Sequence, residues 1–350
     1  MNHQTTTIAT PGLPIAVTMG DACGIGPEIV AKLFRQIGPA GGFVIGDVGV
    51  MRRAAQLTGG MLPIVVIASP AELAGLPPDC LPVLPCAGLP PDLLQAPLGT
   101  VDARAGAAAA ACIEAAAHLA MDGQIAAIVT APIHKEALAL AGVDFPGHTE
   151  LLQSLAARGG PLPAVRMMLA NDELRCVLVT IHMSLRQAID ALSVPLILDT
   201  LRITHRSAAA WGLRSPRIAV AGLNPHAGEG GLFGDEEIRL IAPAIAAARA
   251  EGIDATGPFA PDTVFMRARN APAHPGEFDV VVAMTHDHGL IPVKYLGVEH
   301  GVNATLGLPF VRTSPDHGTA FDLAGSGRAD MASLGAAWHM AQRLIAAGAD

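Results

Sequence analysis

The chain has 350 residues, 51% hydrophobic and 15% charged, with a net charge of −9. That is material for about two domains with sizeable cores, and the reverse of a disordered composition. An acidic chain repels phosphate backbones, and 3% aromatics are too few for a base-stacking surface, so the composition argues against a nucleic-acid partner.

In chain order, residues 14–18 read as a strand and residues 20–26 as a turn. Pro27 then opens a helix to about Gln36, where a first turn tolerates proline. Residues 43–45 and 64–68 are short apolar runs that fit buried strands. Residues 70–97 hold eight prolines and read as irregular surface chain. Residues 100–121 form a long alanine-rich helix, and 124–130 the next buried strand. Residues 151–157 are helical, with Thr149 a plausible N-cap. Residues 166–169 and 174–181 flank Asn171-Asp172 and suggest a hairpin. Helices are expected at 184–192, 195–211, 235–250 and 329–347, and strands at 217–223 and 279–284. This alternation predicts an α/β protein with much of its sheet parallel. Composition alone shows no domain boundary, internal repeat or low-complexity linker.

No apolar run approaches the roughly 18 residues of a membrane helix. Residues 105–120 come nearest and are interrupted by Glu114 and His118. Residues 1–12 lack the basic-then-apolar pattern of a signal peptide. The five cysteines are odd in number and scattered, with no C-x-x-C, which disfavours a disulfide framework or cysteine-based zinc site and fits a cytoplasmic chain. There are 13 histidines, concentrated in the stretch from His134 to His317.

Three of them stand out. Val177-Leu-Val-Thr-Ile-His182, Ile218-Ala-Val-Ala-Gly-Leu-Asn-Pro-His226 and Val280-Val-Val-Ala-Met-Thr-His286 are each an apolar strand ending in a histidine. In α/β sheets the ligand crevice lies outside the carboxyl ends of the strands. Three imidazoles delivered there could converge on one divalent metal, with an open position for a substrate oxygen. Singly, each is better read as a polar residue at a loop start. Asp287 follows His286 directly and could orient it, ligate the metal or act as a base.

Lys294, Asn303 and Arg312 follow within a short, mostly apolar span. A basic group in such surroundings needs an anionic partner. The choices are structural ion pairs or a substrate phosphate or carboxylate, for which Arg offers a fork and Lys a point charge. His148 and Thr149 sit in Gly147-His-Thr-Glu150, which opens a helix whose N–H groups favour an anion, although a simple N-cap explains it equally. Gly20-Asp-Ala-Cys-Gly-Ile-Gly-Pro-Glu28 is neither G-x-G-x-x-G nor a Walker loop, so it supports no Rossmann site and reads as a tight strand-to-helix turn. The glycine-bracketed run from His317 through Gly318, Thr319 and Asp322 to Gly325 lets backbone approach a flat or phosphorylated ligand, or is merely a connector.

Taken together, these segments resemble the 4-hydroxythreonine-4-phosphate dehydrogenase family of vitamin B6 biosynthesis. The matching pieces run in the family's order. They are Thr18-Met-Gly-Asp-Ala-Cys-Gly-Ile-Gly-Pro-Glu28, Thr130-Ala-Pro-Ile-His-Lys-Glu136, Gly147-His-Thr-Glu150, Asn224-Pro-His-Ala-Gly-Glu229, Pro261-Asp-Thr-Val-Phe265, His286-Asp-His-Gly289, and residues 301–312 and 314–327. The resemblance implies a two-domain, three-layer fold like isocitrate and isopropylmalate dehydrogenases, with a largely parallel sheet and the active site in the interdomain cleft. Residues 1–140 with 300–350 would be the cofactor side, and 141–299 the metal, substrate and dimerisation side. It implies NAD or NADP on the His317, Gly318, Thr319, Asp322 and Gly325 loop. It implies a divalent metal on His182, His226 and His286, zinc first, with magnesium, cobalt or manganese as alternatives. His148, Thr149, Lys294, Asn303 and Arg312 match substrate positions, and Asp262, Asp287 and Lys294 are the candidates for proton transfer. A homodimer with a metal site shared between subunits is also implied, with no nucleic acid and no membrane.

The expected reaction is metal-dependent oxidation of 4-(phosphooxy)-L-threonine to a β-keto acid that decarboxylates to 3-amino-2-oxopropyl phosphate. The alternatives are the same chemistry on D-threonate or D-erythronate 4-phosphate and, more remotely, acyl transfer by a phosphotransacetylase-like enzyme. His288 stands where the family more often has Gln, His134 where it often has Asn, and Cys23 replaces a frequent Pro. Residues 267–277 look like an insertion.

Overall fold

The computed structural model describes residues 12–39, 41–145, 147–208, 213, 215–297 and 300–347. In chain order its elements are β1 (Ile15–Thr18), α1 (Gly26–Ile37), β2 (Gly42–Gly46), α2 (Val48–Leu57), β3 (Ile64–Val66), β4 (Leu81–Pro85), α3 (Ala103–Met121), β5 (Ala127–Thr130), α4 (Lys135–Leu140) and α5 (His148–Ala157). There follow β6 (Arg166–Ala170), β7 (Arg175–Leu178), α6 (Leu185–Ala191), α7 (Val194–Ala208), β8 (Ile218–Ala221), α8 (Ala242–Ala250), β9 (Ala255–Phe259), α9 (Val264–Ala268), β10 (Val280–Ala283), α10 (His286–Tyr295), β11 (Val302–Leu306), β12 (Val311–Pro315) and α11 (Ala332–Ala347). The expected helix at 195–211 is present to Ala208; its last residues lie outside those described. The chain divides into two compact units, one within Met1–Pro163 and Leu308–Ala349, the other Ala164–Gly307.

The first unit carries the strand order β3-β4-β2-β1-β5-β12, with every described pairing parallel. β1, β2 and β5 are buried at every residue, as parallel strands are when helices cover both faces. That explains why they read as unbroken apolar runs. α1 packs with α2 and α11, while α3 packs with α4 and α5. The alanine content of α3 has a steric purpose: a Cβ on its Gly106 would lie 2.0 Å from the Ala137 carbonyl oxygen, so only a small-residue face lets α4 come this close.

β4 corrects the expectation of irregular chain at 70–97. Pro82 and Pro85 remove two ladder donors. Leu81 N–H still donates to Pro63 O (2.9 Å), Val83 O accepts from Ile67 N–H (2.9 Å), and Cys86 N–H reaches Gly46 O (3.2 Å). The apolar run Leu81-Pro-Val-Leu therefore outweighs the proline count. Short 3-10 segments at Pro70–Leu73 and Leu93–Gln95 occupy the rest of that stretch.

The second unit has the order β11-β6-β7-β10-β8-β9. β11–β6 and β6–β7 are antiparallel; β7–β10, β10–β8 and β8–β9 are parallel. The period-two alternation of strands puts Leu169, Cys176, Leu178, Ala219, Ala221, Val281 and Ala283 on one face, where they pack with α9 and α10. The expected hairpin is present. Asn171 makes its turn, accepting from Glu173 and Leu174 N–H and donating to Val293 O in α10 (3.1 Å). Residues 267–277 form a local loop closed by the Arg267–Glu277 ion pair at 2.6 Å.

Candidate active site

The candidate anion-binding residues of the first unit meet where β5 and β12 run side by side. Arg312 is 3% exposed, and its guanidinium donates to the Thr130 hydroxyl, 2.7 Å from Nη2 and 3.2 Å from Nε. Burial pulls its pKa down to about 10, with the Glu150 charge opposing. A buried guanidinium of this kind offers an anionic ligand a planar fork of donors.

His148 lies beside it. Burial first, and the Arg312 charge second, push the His148 pKa well below the usual imidazole range, against a hydrogen bond to the Ala131 carbonyl. Its Nε2 is wholly covered and has no protein partner. His148 is the first residue of α5, so the open N–H groups of a helix face the same region. The N-cap position belongs to Gly147, in extended conformation and without a side-chain bond; Thr149 sits inside the first turn, half-buried, and is not the cap.

The 317–327 loop is tied down from below. Glu28, 2% exposed in α1, accepts from Gly325 N–H (2.5 Å) and Gly327 N–H (2.8 Å). Ile25 N–H donates to Thr319 O (3.0 Å). Asp322 is exposed, and His317 Nδ1 contacts Gly318 O at 3.0 Å. The β1–α1 turn, which sequence reasoning took as a simple connector, is thus the support of this loop.

In the second unit the three strand-end histidines follow β7, β8 and β10, and β10 pairs parallel with both others, so the three carboxyl ends are adjacent. His182 and His286 approach to 5.8 Å between ring centroids. Asp287 Oδ1 bonds His286 Nδ1 at 2.7 Å, which fixes the tautomer that keeps a lone pair on Nε2. His226 does not join them. No three His, Cys, Asp or Glu side chains among the described residues gather closely enough to hold a metal.

The reason is the loop after β8. From His226 to Gly230 five successive residues have positive φ, at 53°, 52°, 79°, 42° and 65°, a left-handed turn. It sets His226 beside Phe233, at 6.2 Å between rings. Glu237, 3% exposed, holds this turn's entry, accepting from Leu223 N–H (2.7 Å), Asn224 N–H (2.8 Å) and Asn224 Nδ2 (3.0 Å). Burial raises its carboxyl pKa, but those hydrogen bonds prevail and hold it below the usual range. Sequence reasoning gave no role to Glu237, nor to Asn224 beyond its place in a matching motif; Glu237 stands in the acidic run Asp235-Glu236-Glu237, and nothing in that pattern singles it out. His182 also has positive φ, 39°, so two of the three candidate ligands sit on backbone that L-residues avoid.

Lys294 is half-buried in the last turn of α10, and Asn303 half-buried in β11 opposite Leu169. Asp262 is exposed between β9 and α9. Of the departures, His134 stacks on Phe321, and His288 keeps a buried Nδ1 without a hydrogen bond.

A parallel-sheet scaffold with a buried guanidinium beside a helix N-terminus at one set of strand ends, and paired imidazoles at another, has the make-up of an α/β enzyme. The model of the family described as Pyridoxal phosphate biosynthetic protein PdxA matches residues 40–341. The 4-hydroxythreonine-4-phosphate dehydrogenase of Beijerinckia indica is 58% identical, over 95% of both chains. The D-threonate 4-phosphate dehydrogenase of Salmonella typhimurium is 44% identical, over 94% of this chain and 98% of that one. A crystal structure of 4-hydroxythreonine-4-phosphate dehydrogenase from Klebsiella pneumoniae superposes with a TM-score of 0.84 at 44% identity, covering 95% of this chain and 100% of that one. The chain belongs to the PdxA family, and is an oxidoreductase of the dehydrogenase class.

Proposed function

We propose that the chain oxidises 4-(phosphooxy)-L-threonine with NAD or NADP to a β-keto acid, which loses carbon dioxide to give 3-amino-2-oxopropyl phosphate. The observation that carries this reading is the buried Arg312 guanidinium, which lies beside the Thr130 hydroxyl and His148 at strand ends. A phosphate is the anion that such a fork, a helix N-terminus and a covered imidazole nitrogen suit together. Its binding energy, remote from the reacting carbon, orients that carbon. Thr149, Lys294 and Asn303 are assigned to the same substrate.

The residues fit a metal: His182 and His286 lie within joint reach of one ion, and Asp287 orients His286. A homodimer that shares this metal site between subunits would complete the set with His226, since the described residues of one protomer do not bring all three together. These residues would hold a divalent metal, zinc first, which would supply Lewis acidity, and residues 317–325 would hold the nicotinamide cofactor, which would supply the hydride acceptor. Asp262 and Lys294 are the candidates for moving the hydroxyl proton. Asp287 is the orienting group, its carboxylate being engaged with His286. No helix among the described residues is long and apolar enough to cross a membrane, and a cytoplasmic place is proposed.

The second reading is D-threonate or D-erythronate 4-phosphate as substrate, favoured by the Salmonella relative. Specificity constants for the three phosphates decide. The proposal expects 4-(phosphooxy)-L-threonine to lead by at least about tenfold, a difference of roughly 1.4 kcal/mol in transition-state binding. A lead by either sugar-acid phosphate overturns the substrate assignment and leaves the chemistry.

A further inference from the structure

Beyond His148, the buried polar atoms of the first unit without a protein hydrogen bond include Thr18 Oγ1, Asp21 Oδ2 and His134 Nδ1. They belong together. Thr18 ends β1 and pairs in register with Thr130 of β5. Asp21 N–H donates to Pro132 O (2.9 Å), just beyond β5. His134 follows two residues later, close enough for its charge to act on Asp21. Asp21 is 0% and Thr18 1% exposed. Unpaired buried groups of this kind are few in native proteins and point to a ligand.

The surroundings say which ligand. His134 stacks on Phe321 of the 317–327 loop, with 4.9 Å between centroids and 22° between planes. Gly24, three residues after Asp21, lies so near Thr319 that a Cβ would sit 2.8 Å from the Thr319 Cβ. Gly99 N–H donates to Cys23 O (2.8 Å) while its Cα side faces Phe321 O. The β1–α1 turn, His134 and the cofactor loop are therefore one assembly. A carboxylate is repelled by the phosphates of a dinucleotide. Ribose hydroxyls, the adenine amino group and the nicotinamide amide can all donate to it, but only the oxidised nicotinamide also carries a positive charge, which a buried carboxylate attracts.

We propose that Asp21, with Thr18 and His134, forms the pocket for the nicotinamide end of the cofactor, and that its carboxylate selects the oxidised over the reduced form. The inference rests on the reading of residues 317–327 as the cofactor loop. After hydride transfer the ring is neutral, the attraction is gone, and the same pocket loosens its hold on the product cofactor.

The test is the binding of NAD⁺ and NADH, by calorimetry and by NADH fluorescence, to the wild type and to Asp21→Asn, Thr18→Val and His134→Ala, each checked for wild-type circular dichroism. Asp21→Asn should weaken NAD⁺ about tenfold and NADH by less than about threefold, since only one form carries the ring charge. Thr18→Val and His134→Ala should weaken both forms by similar, smaller factors, and they carry the test if Asp21→Asn does not fold. Unchanged affinity in all three variants overturns the proposal, as does an equal loss of both forms in Asp21→Asn. Loss of inorganic phosphate binding with dinucleotide binding intact would assign the pocket to the substrate instead and equally overturn it. A wild type that binds phosphate but neither dinucleotide would refute the underlying cofactor reading.

Discussion

Asp21 owes its character to burial more than to any neighbour. Desolvation raises its carboxyl to about 6, against bonds from Cys23 and Gly24 N–H and the nearby His134. A carboxyl that holds its proton more tightly folded than unfolded stabilises the fold fully below the ordinary value near 3.8, and that contribution disappears as pH rises through about 6. His148 works in the opposite direction: its depressed pKa contributes stability above the ordinary 6.5 that is lost as pH falls. Comparing variant with wild type separates the two. Asp21→Asn, which carries no titrating group, should reduce the fall in unfolding free energy between pH 4 and 7 by an amount on the order of 3 kcal/mol at most. Urea unfolding at a series of pH values measures it, and parallel curves for the two proteins would rule the assignment out.

At the scale of elements, the left-handed turn at 226–230 is the feature that most needs support. Three of its residues, His226, Ala227 and Glu229, have side chains, and each costs about 1–2 kcal/mol in that conformation. Glu237 supplies the restraint. Glu237→Gln keeps the shape and loses the charge-assisted bonds, so the turn relaxes and His226 moves. Zinc affinity of the folded protein should fall by roughly tenfold to a hundredfold, as when the support of a metal ligand is lost. Affinity equal to wild type, in a protein where His226→Ala does lose metal, would contradict it.

The three strand ends were legible in the sequence because buried parallel strands are short apolar runs and ligands collect where they stop. β4 was not, because proline counts weigh on local chemistry while ladder bonds come from Pro63, Ile67 and Gly46 elsewhere in the chain. The need of Arg312 for a partner was legible. That Thr130 would meet it, 182 positions away, required the β5–β12 pairing. Asp21 stood within a matching motif and drew no role of its own, since its importance lies in an unpaired oxygen and not in its spacing.

At the scale of the whole molecule, the account requires two chains for one site. With a metal site shared between subunits as proposed, and His226 and His286 of one site drawn from different copies, His226→Ala and His286→Ala should each be inactive. Mixing the two and reassembling them should restore about a quarter of wild-type activity, because half the dimers are mixed and each mixed dimer holds one intact site of two. No recovery on mixing would place His226 and His286 of each site in a single chain. The central claim, that this is a metal- and nicotinamide-dependent dehydrogenase of a phosphorylated hydroxy acid, is tested most directly by NADH absorbance. Purified protein receives NAD⁺ and 4-(phosphooxy)-L-threonine, with and without EDTA. A rise that the chelator abolishes and added zinc restores is the predicted result. A rise of equal rate in both samples would contradict the role given to the histidines, and no rise with any of the three phosphates in metal-replete protein would contradict the claim itself.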